Sequence, residues 1–327
     1  MNKTERFGAV DFLRGFAIFV MIGLHTLSYF LSNKTLYGLW NYGNFVVPIF
    51  IFVSAFLFFR KELIAKTELS FSYIKKRLMR LIIPYYSFLL VYFSLMFIFE
   101  PQKLTSSFIL KNFTFLGGVD INWLVILFLY MAVLLPVLAY AQSKTRFTMV
   151  GVTAVALLTS LFLLFFKLPL SYKLTMWIPW LLVVAVAYYH VQYEKNKNTL
   201  PILFLLSTVV FLLSWITLDS IPRNTGFFQN KYPPNLYLLS YGTMWIGVLF
   251  LVYPLISLQK KIVYFFNYFG TYSYTLFFIH YLVIYVLTKG APYKAFGWLP
   301  FFLFVTVLSV IIQVGLNKLS SVSKKSH

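Results

Sequence analysis

Three polar residues of the first long apolar run, Asp11, Arg14 and His25, have the types and the spacing for proton-transfer chemistry. The eleven residues from Arg14 to His25 make three helical turns plus about 20°, so both lie on one face, about 16 Å apart along the axis. Asp11 lies about 40° from His25 by the same count. Because imidazole exchanges its proton near neutral pH, His25 is the candidate general base. A simpler interpretation has Arg14 paired with Asp11 at the membrane surface and His25 packed near the outer interface.

A second polar pair, Ser273 and His280, lies in a late apolar run, with His280 about twelve residues inside the predicted span. Seven residues are two helical turns, so the two side chains share a face. Ionisable groups inside a membrane usually face the bundle interior or a wet cavity, and His280 could line the same cavity as His25. The alternative is a hydrogen bond between helices without chemistry, since His and Ser also link membrane helices.

A basic segment that ends at Arg77 and Arg80 precedes the third apolar run. If the segment is helical, the two arginines are three residues apart and share a face. Guanidinium groups bind phosphate well, so this pair could hold the phosphates of a cytosolic ligand such as coenzyme A. On residue type alone, topology determination and contact with lipid headgroups are favoured over that role.

Other positions carry weaker signals. Asn44 in the second apolar run and Trp123 at the start of the fourth could line a cavity, although Trp123 alone is typical of an interfacial anchor. Pro48 could kink the second run. Glu100 and Asp120, at the predicted outer edge, could bind a sugar.

The composition places all these residues in a membrane. Of the 327 residues, 60% are hydrophobic and 11% are charged, whereas about a quarter of a soluble domain is charged. The net charge of +20 comes from basic residues in short connections, which indicates topology signals and lipid contacts rather than a nucleic-acid surface. The chain has no cysteine and no metal-binding histidine spacing, so we expect no metal site. His190 and His327 lie at a predicted cytoplasmic helix end and in the tail, so we expect no chemistry there.

The positioning elements are apolar runs of about 20 residues, the length of a membrane-spanning helix. We predict an all-α polytopic membrane protein with one integral-membrane domain, residues 1–327, and with a retained first helix rather than a cleaved leader. With the N-terminus inside, about two-thirds of the Lys and Arg residues lie on the cytoplasmic side, including Lys3, Arg6, Lys66, Lys324 and Lys325, which also places the C-terminus in the cytoplasm. The ten predicted transmembrane helices are 11–31, 44–60, 80–99, 122–141, 147–166, 174–190, 200–217, 236–258, 268–287 and 298–316.

Four motifs follow one another along the chain: Arg6 and Val10–Ile18 with His25, Val47–Phe56, Arg77–Arg80 with Pro84 and Tyr85, and Gly270–His280. They resemble, in the same order, motifs of the membrane-bound acyltransferase 3 family, and the resemblance extends over nearly the whole chain. The second motif has Ala55 where the family usually has glycine, and Ile121-Asn122-Trp123 stands where the family often has His-Leu-Trp. The Asp-x-x-Arg-Gly start at Asp11 also resembles membrane acetyltransferases that act on heparan glucosamine.

The resemblance implies transfer of an acyl group, often acetyl, from cytoplasmic acyl-CoA to a hydroxyl of a cell-envelope glycan, a lipid or an exported small molecule. It implies O-acetylation in the cytoplasmic (plasma) membrane of a bacterium, with acyl-CoA as donor substrate and no bound cofactor. His25, Arg14 and Asp11 would then be catalytic, and Arg77 with Arg80 would bind the donor. Membrane lipids and the acceptor are the expected partners, and nucleic acid is not.

Two other functions fit the same residues. A transporter or flippase that exports an envelope polysaccharide or lipid would also line its pathway with polar groups, although the chain shows no internal repeat. A non-catalytic scaffold would lose nothing on replacement of His25. Within the acyltransferase interpretation, a histidine could also carry the acyl group covalently.

Overall fold

Helices form the regular structure of the residues described by the computed structural model, 8–65, 71–167, 169–290 and 292–323, apart from an isolated bridge between Lys231 and Pro234. Lys3, Arg6, Lys66, Lys324, Lys325 and His327, which entered the predictions above, lie outside the described residues. The helices are α1 Gly8–Leu27, α2 Lys34–Tyr42, α3 Val46–Ala65, α4 Phe71–Phe99, α5 Ser106–Phe113, α6 Asn122–Lys144, α7 Thr148–Phe165, α8 Tyr172–Thr175, α9 Trp177–Gln192, α10 Thr199–Ser220, α11 Leu236–Ser257, α12 Lys260–Thr271, α13 Ser273–Gly290 and α14 Trp298–Ser323.

The long helices follow the apolar runs of the sequence. Nine helical segments of the described residues are long and apolar enough to cross a membrane, and α12 with α13 makes a tenth if that pair is one span. An apolar environment offers no partner for backbone N–H and C=O groups, so each run satisfies them internally as a helix. This confirms the predicted all-α polytopic membrane class. The cytoplasmic location of both termini stays a prediction.

The predicted ninth span, 268–287, is not one continuous helix. It crosses the junction of α12 and α13, where the helix direction changes by 81°. The predicted range therefore joins the end of α12, a twelve-residue helix, to most of α13. The length of an apolar run predicts a helical segment but gives no information about a change in helix direction within it.

The start of the second span also differs from the prediction. Asn44 lies in a 3₁₀ turn, Gly43–Phe45, and α3 begins after it at Val46. Pro48 is the third residue of α3, where a missing backbone N–H removes no helical hydrogen bond. The predicted kink therefore has no hydrogen bond to break at this position.

The chain forms two compact units, and the first comprises Met1–Gly43, Ile83–Gly118 and Lys260–His327. In this unit α1 packs against α12, α13 and α14. A Cβ on Gly15 would overlap the carbonyl oxygen of Phe266, and a Cβ on Gly270 would overlap that of Asp11. The two glycines thus let the backbones of α1 and α12 touch, which fixes α1 beside the start of the α13 segment.

The second unit comprises Asn44–Ile82 and Val119–Gln259. Its centre is α3, which packs against α9, α11 and α6, and α11 packs against α10. A Cβ on Gly242 of α11 would overlap the ring of Pro48, so this glycine admits α3 closely. The loop 221–235 before α11 belongs to the same unit.

Candidate active site

The first unit joins the two predicted histidines directly. His25, two residues before the end of α1, and His280, in the middle of α13, are hydrogen-bonded with 2.7 Å between His25 Nδ1 and His280 Nε2. Their rings stack with centroids 5.0 Å apart. His280 is fully buried and His25 is half-buried, so one imidazole of the pair is accessible.

The hydrogen-bond pattern assigns the protons of this pair. His280 Nδ1 lies 2.7 Å from the carbonyl oxygen of Leu276, which can only accept, so this nitrogen carries the proton. A neutral His280 then has its lone pair on Nε2, and His25 Nδ1 donates to it. The opposite direction would require a fully buried imidazolium at His280, which is costly.

The Leu276 carbonyl, His280 and His25 thus form a chain of hydrogen bonds, which we call the relay, and it orients His25 as a base. With its proton on Nδ1, neutral His25 has its lone pair on Nε2, the nitrogen that can take a proton from a hydroxyl. His280 and the Leu276 carbonyl thereby do for His25 what an orienting carboxylate does in a nucleophile–histidine–carboxylate triad. The relay contains no formal charge, which suits a site inside a membrane.

The end of α1 that carries His25 is held by its neighbours. The Thr26 hydroxyl donates to the carbonyl of Gly23 at 2.8 Å and accepts from the Trp298 indole at 3.2 Å. Rings of Phe277 and Tyr281 lie 6.3 and 6.4 Å from the His25 ring, centroid to centroid. These contacts fix the imidazole between an apolar wall and its histidine partner.

Arg14 and Asp11 form an ion pair at the other end of α1, with 3.1 Å between Arg14 Nη2 and Asp11 Oδ1. Their side chains are 26% and 10% exposed. The structure does not bring this pair to His25, because the helical rise keeps them about 16 Å apart. Gly15 and Gly270 place the pair at the α1–α12 crossing.

Ser273 is not a neighbour of His280. It begins α13, and the seven residues between them correspond to a rise of about 10 Å. Both lie on the same helix face, so Ser273 could meet a ligand that also approaches His280. Its predicted role as a cavity-lining residue stays a prediction.

The basic segment around Arg77 and Arg80 is helical and forms the start of α4, in the second unit. The Arg77 guanidinium lies 5.1 Å from the ring centre of Phe58 and is half-buried, whereas Arg80 is exposed. Stacking leaves the edge of a guanidinium able to donate to phosphate. The arginines can present two cations on one face, as donor binding would require.

The other two predicted lining residues, Asn44 and Trp123, meet in the second unit around a lysine that sequence reasoning had counted only as a loop charge. Lys231 Nζ donates to Asn44 Oδ1 at 3.1 Å and lies 5.0 Å from the Trp123 ring centre. The only signal in the sequence was its position before Tyr232-Pro233-Pro234-Asn235, a segment typical of an ordered turn.

Glu100 and His190, which lie outside the groups described so far, contact ordinary protein partners. Glu100, just after α4, accepts from Lys103 Nζ at 2.5 Å, from Lys289 Nζ at 3.0 Å and from the Tyr285 hydroxyl at 3.2 Å. The Lys103 hydrogen bond, followed by those of Lys289 and Tyr285, lowers the pKa of Glu100 to about 2. His190 of α9 is buried among aromatic rings of the second unit.

Among the described residues, no group of three or more His, Asp or Glu side chains could hold a metal ion.

Comparison with known protein families gives a match. A family described as an acyltransferase domain, Acyl_transf_3, matches residues 7–317, and this stretch contains every candidate described above. No curated protein and no solved structure matches the chain.

Proposed function

The chain belongs to the acyltransferase 3 family, whose members transfer acyl groups at membranes, and we propose that its donor is cytoplasmic acyl-CoA, acetyl-CoA above all. The proposed acceptor is a hydroxyl group of a cell-envelope glycan, with an envelope lipid or an exported small molecule as the other candidates. The proposed location is the cytoplasmic membrane of a bacterium. The kinship with heparan-glucosaminide acetyltransferases stays a prediction.

One observation carries this proposal, the neutral relay from Leu276 through His280 to His25. Transfer to a hydroxyl needs a base that removes the hydroxyl proton as its oxygen attacks the thioester carbon. His25 Nε2 is the atom that takes this proton. A new C–O bond forms, the C–S bond breaks, and the proton passes from His25 to the leaving thiolate, so the base is regenerated.

The charged residues are proposed to hold the donor. Arg77 and Arg80 present guanidinium groups near the start of α4, and such groups pair well with nucleotide phosphates. Arg14 is available to orient the donor because Asp11 fixes its side chain at 3.1 Å. In this proposal the donor is bound by residues other than the base, so donor binding and proton transfer can be separated experimentally.

The experiment measures thiol release from acetyl-CoA by purified protein in proteoliposomes, with crude cell-envelope extract as acceptor. We expect acceptor-stimulated release from wild type and a decrease of about 10²–10⁴-fold in His25→Ala, the range for removal of a general base. His190→Leu is the matched control, because it removes a buried histidine that lies among aromatic rings of the second unit. Wild-type release from a folded His25→Ala protein would rule out His25 as the base.

The bend of 81° between α12 and α13 favours the second candidate, a transporter, because transporters often use interrupted helices. A transporter would move an envelope lipid or glycan without cleaving a thioester. Donor-independent movement of a labelled lipid across proteoliposomes, together with no thiol release from several acyl-CoA donors, would support this candidate over the acyltransferase.

A further inference from the structure

The loop 221–235 of the second unit is built as a rigid support. The Asn230 side-chain amide donates to the carbonyl oxygens of Asn224 and Gly226, both at 2.8 Å, and the Asn235 amide donates to Asn230 Oδ1 at 2.6 Å. Tyr237 donates from its hydroxyl to the Thr225 carbonyl at 3.1 Å. A buried amide network of this kind holds one loop conformation, which is more than a connection between helices requires.

This loop presents Lys231 in an environment that leaves its charge incompletely compensated. The ammonium has an amide oxygen from Asn44 and two ring faces, those of Trp123 at 5.0 Å and Tyr232 at 5.4 Å. The ion pairs of the described residues do not include Lys231. Asp120 is exposed and attracts the lysine without reaching ion-pair distance.

Removal of the Lys231 ammonium from water lowers its pKa to about 8, against the opposing attraction of Asp120. A partly desolvated cation without an ion pair costs free energy, and such cost is common at binding sites. An anion that enters the site would remove it. The surroundings of Lys231 therefore favour a negatively charged ligand.

The aromatic residues beside Lys231 indicate the rest of that ligand. The Tyr232 ring lies 5.1 Å from the Tyr172 ring and 5.7 Å from the Phe228 ring, centroid to centroid. Phe228 is 40% exposed, and both tyrosines are half-buried. Partly exposed aromatic side chains beside an amide and an exposed carboxylate suit a ligand that has flat apolar faces and several hydroxyls, which is the chemistry of a sugar ring.

We propose that the site around Lys231 binds an acidic saccharide, whose carboxylate or phosphate pairs with the ammonium while its ring packs on the tyrosines. This inference rests on the proposed function, for which it narrows the acceptor to a charged glycan. The exposed Asp120 favours a saccharide over a plain anionic lipid surface, because a carboxylate accepts hydrogen bonds from sugar hydroxyls and repels a layer of phosphates.

The test is calorimetric titration of the full-length protein in detergent with a galacturonate pentasaccharide, an oligomannose that ends in mannose 6-phosphate, and the neutral galactose pentasaccharide. We expect at least one acidic ligand to bind about ten times more tightly than the neutral one. Lys231→Met should abolish that preference, and Lys231→Arg should retain most of it. Lys34→Met, which removes the exposed first residue of α2, is the matched control and should bind like wild type.

Equal affinity for acidic and neutral saccharides, or no binding of either, would overturn the proposal, as would an acidic preference that survives Lys231→Met. Preference for phosphatidylglycerol over phosphatidylcholine vesicles without saccharide binding would assign the site to lipid instead. Thioester cleavage is measured separately on wild type with crude cell-envelope extract as acceptor. Its absence counts against the proposed function alone, whereas absent saccharide binding counts against this site alone.

Discussion

The histidine pair of the first unit and the Lys231 site of the second handle polar groups in opposite ways. His280 is fully buried, yet each of its nitrogens has a protein partner at 2.7 Å, so the pair needs no charge. Lys231 has an amide oxygen and aromatic rings but, within the described part of the chain, no carboxylate at ion-pair distance. The first arrangement is complete within the protein, and the second is completed from outside.

This difference separates two tasks. A base that works by moving one proton is best kept neutral and oriented, because low polarity penalises a permanent charge. A binding site gains from a cation whose compensation is incomplete, since the missing partner is then the ligand. The predictions below test each half of the comparison.

The largest effect is expected at the relay itself. His280→Phe keeps the volume but removes the acceptor for His25 Nδ1, and a lost buried hydrogen bond of about 1–3 kcal/mol corresponds to a decrease of about 10–100-fold in kcat. The KM for acyl-CoA should not change. His280→Gln should restore part of the activity, because its amide oxygen can accept from His25. Wild-type kcat and pH profile in the Phe variant would show that His280 only packs.

The next largest effect is expected at the close contact between the backbones of α1 and α12, which positions α1 in the first unit. Gly15→Ala should lower the free energy of unfolding by about 1–3 kcal/mol, because the new methyl overlaps the Phe266 carbonyl oxygen. The measurement is thermal unfolding in detergent. Gly151→Ala is the control, since a Cβ there meets nothing within 4 Å. Equal unfolding temperatures for the two variants would contradict the close crossing.

The Lys231 site should also differ from the histidine pair in the pH dependence of its ligand affinity. Because the pKa of Lys231 is about 8 in the folded protein, affinity for an acidic saccharide should be full below that pH and fall by about tenfold for each pH unit well above it. Asp120, Tyr172 and Tyr232 are the other titratable groups that face the lysine. Lys231→Arg should bind without this decline. A pH-independent wild-type affinity up to pH 10 would contradict the prediction.

The smallest effect, on the free energy of unfolding, is expected at Glu100. Its carboxylate is paired with lysines near the surface, so it is an ordinary ion pair with which both sites can be compared. Its pKa is lowered from 4.5 to about 2, so its stabilisation is present above about pH 4.5 and is lost as the pH falls toward 2. Glu100→Gln should cost less than about 1 kcal/mol at pH 7, because Lys103 is largely exposed. The cost should shrink on acidification to pH 3, as measured by unfolding at both pH values.

Apolar run length predicted most of the fold, since a membrane leaves helices as the main solution for such runs. The bend before Ser273 was missed because run length gives no information about a change in helix direction. The ion pair between Asp11 and Arg14 could be predicted, as an alternative to a catalytic role for Arg14. Residues three apart on a helix are neighbours whatever the tertiary structure.

Long-range contacts account for what the sequence could not predict. His25 and His280 are 255 residues apart, and helical spacing fixes the face of each but not the helix that each face meets. Lys231 was assigned to topology because its type is typical of connecting loops. Its role in the second unit depends on Asn44, 187 residues earlier in the chain.

The relay also determines when the protein can first act during its synthesis. His25 is made with α1, whereas its partner arrives 255 residues later with α13. At about 5–20 residues per second, roughly 13–50 s separate the two events. During that time the nascent chain contains the histidine without the group that orients it. By the argument made for His280→Phe, a chain abandoned by the ribosome before α13 would therefore have low transfer activity, and full activity would begin only when nearly the whole chain had entered the membrane.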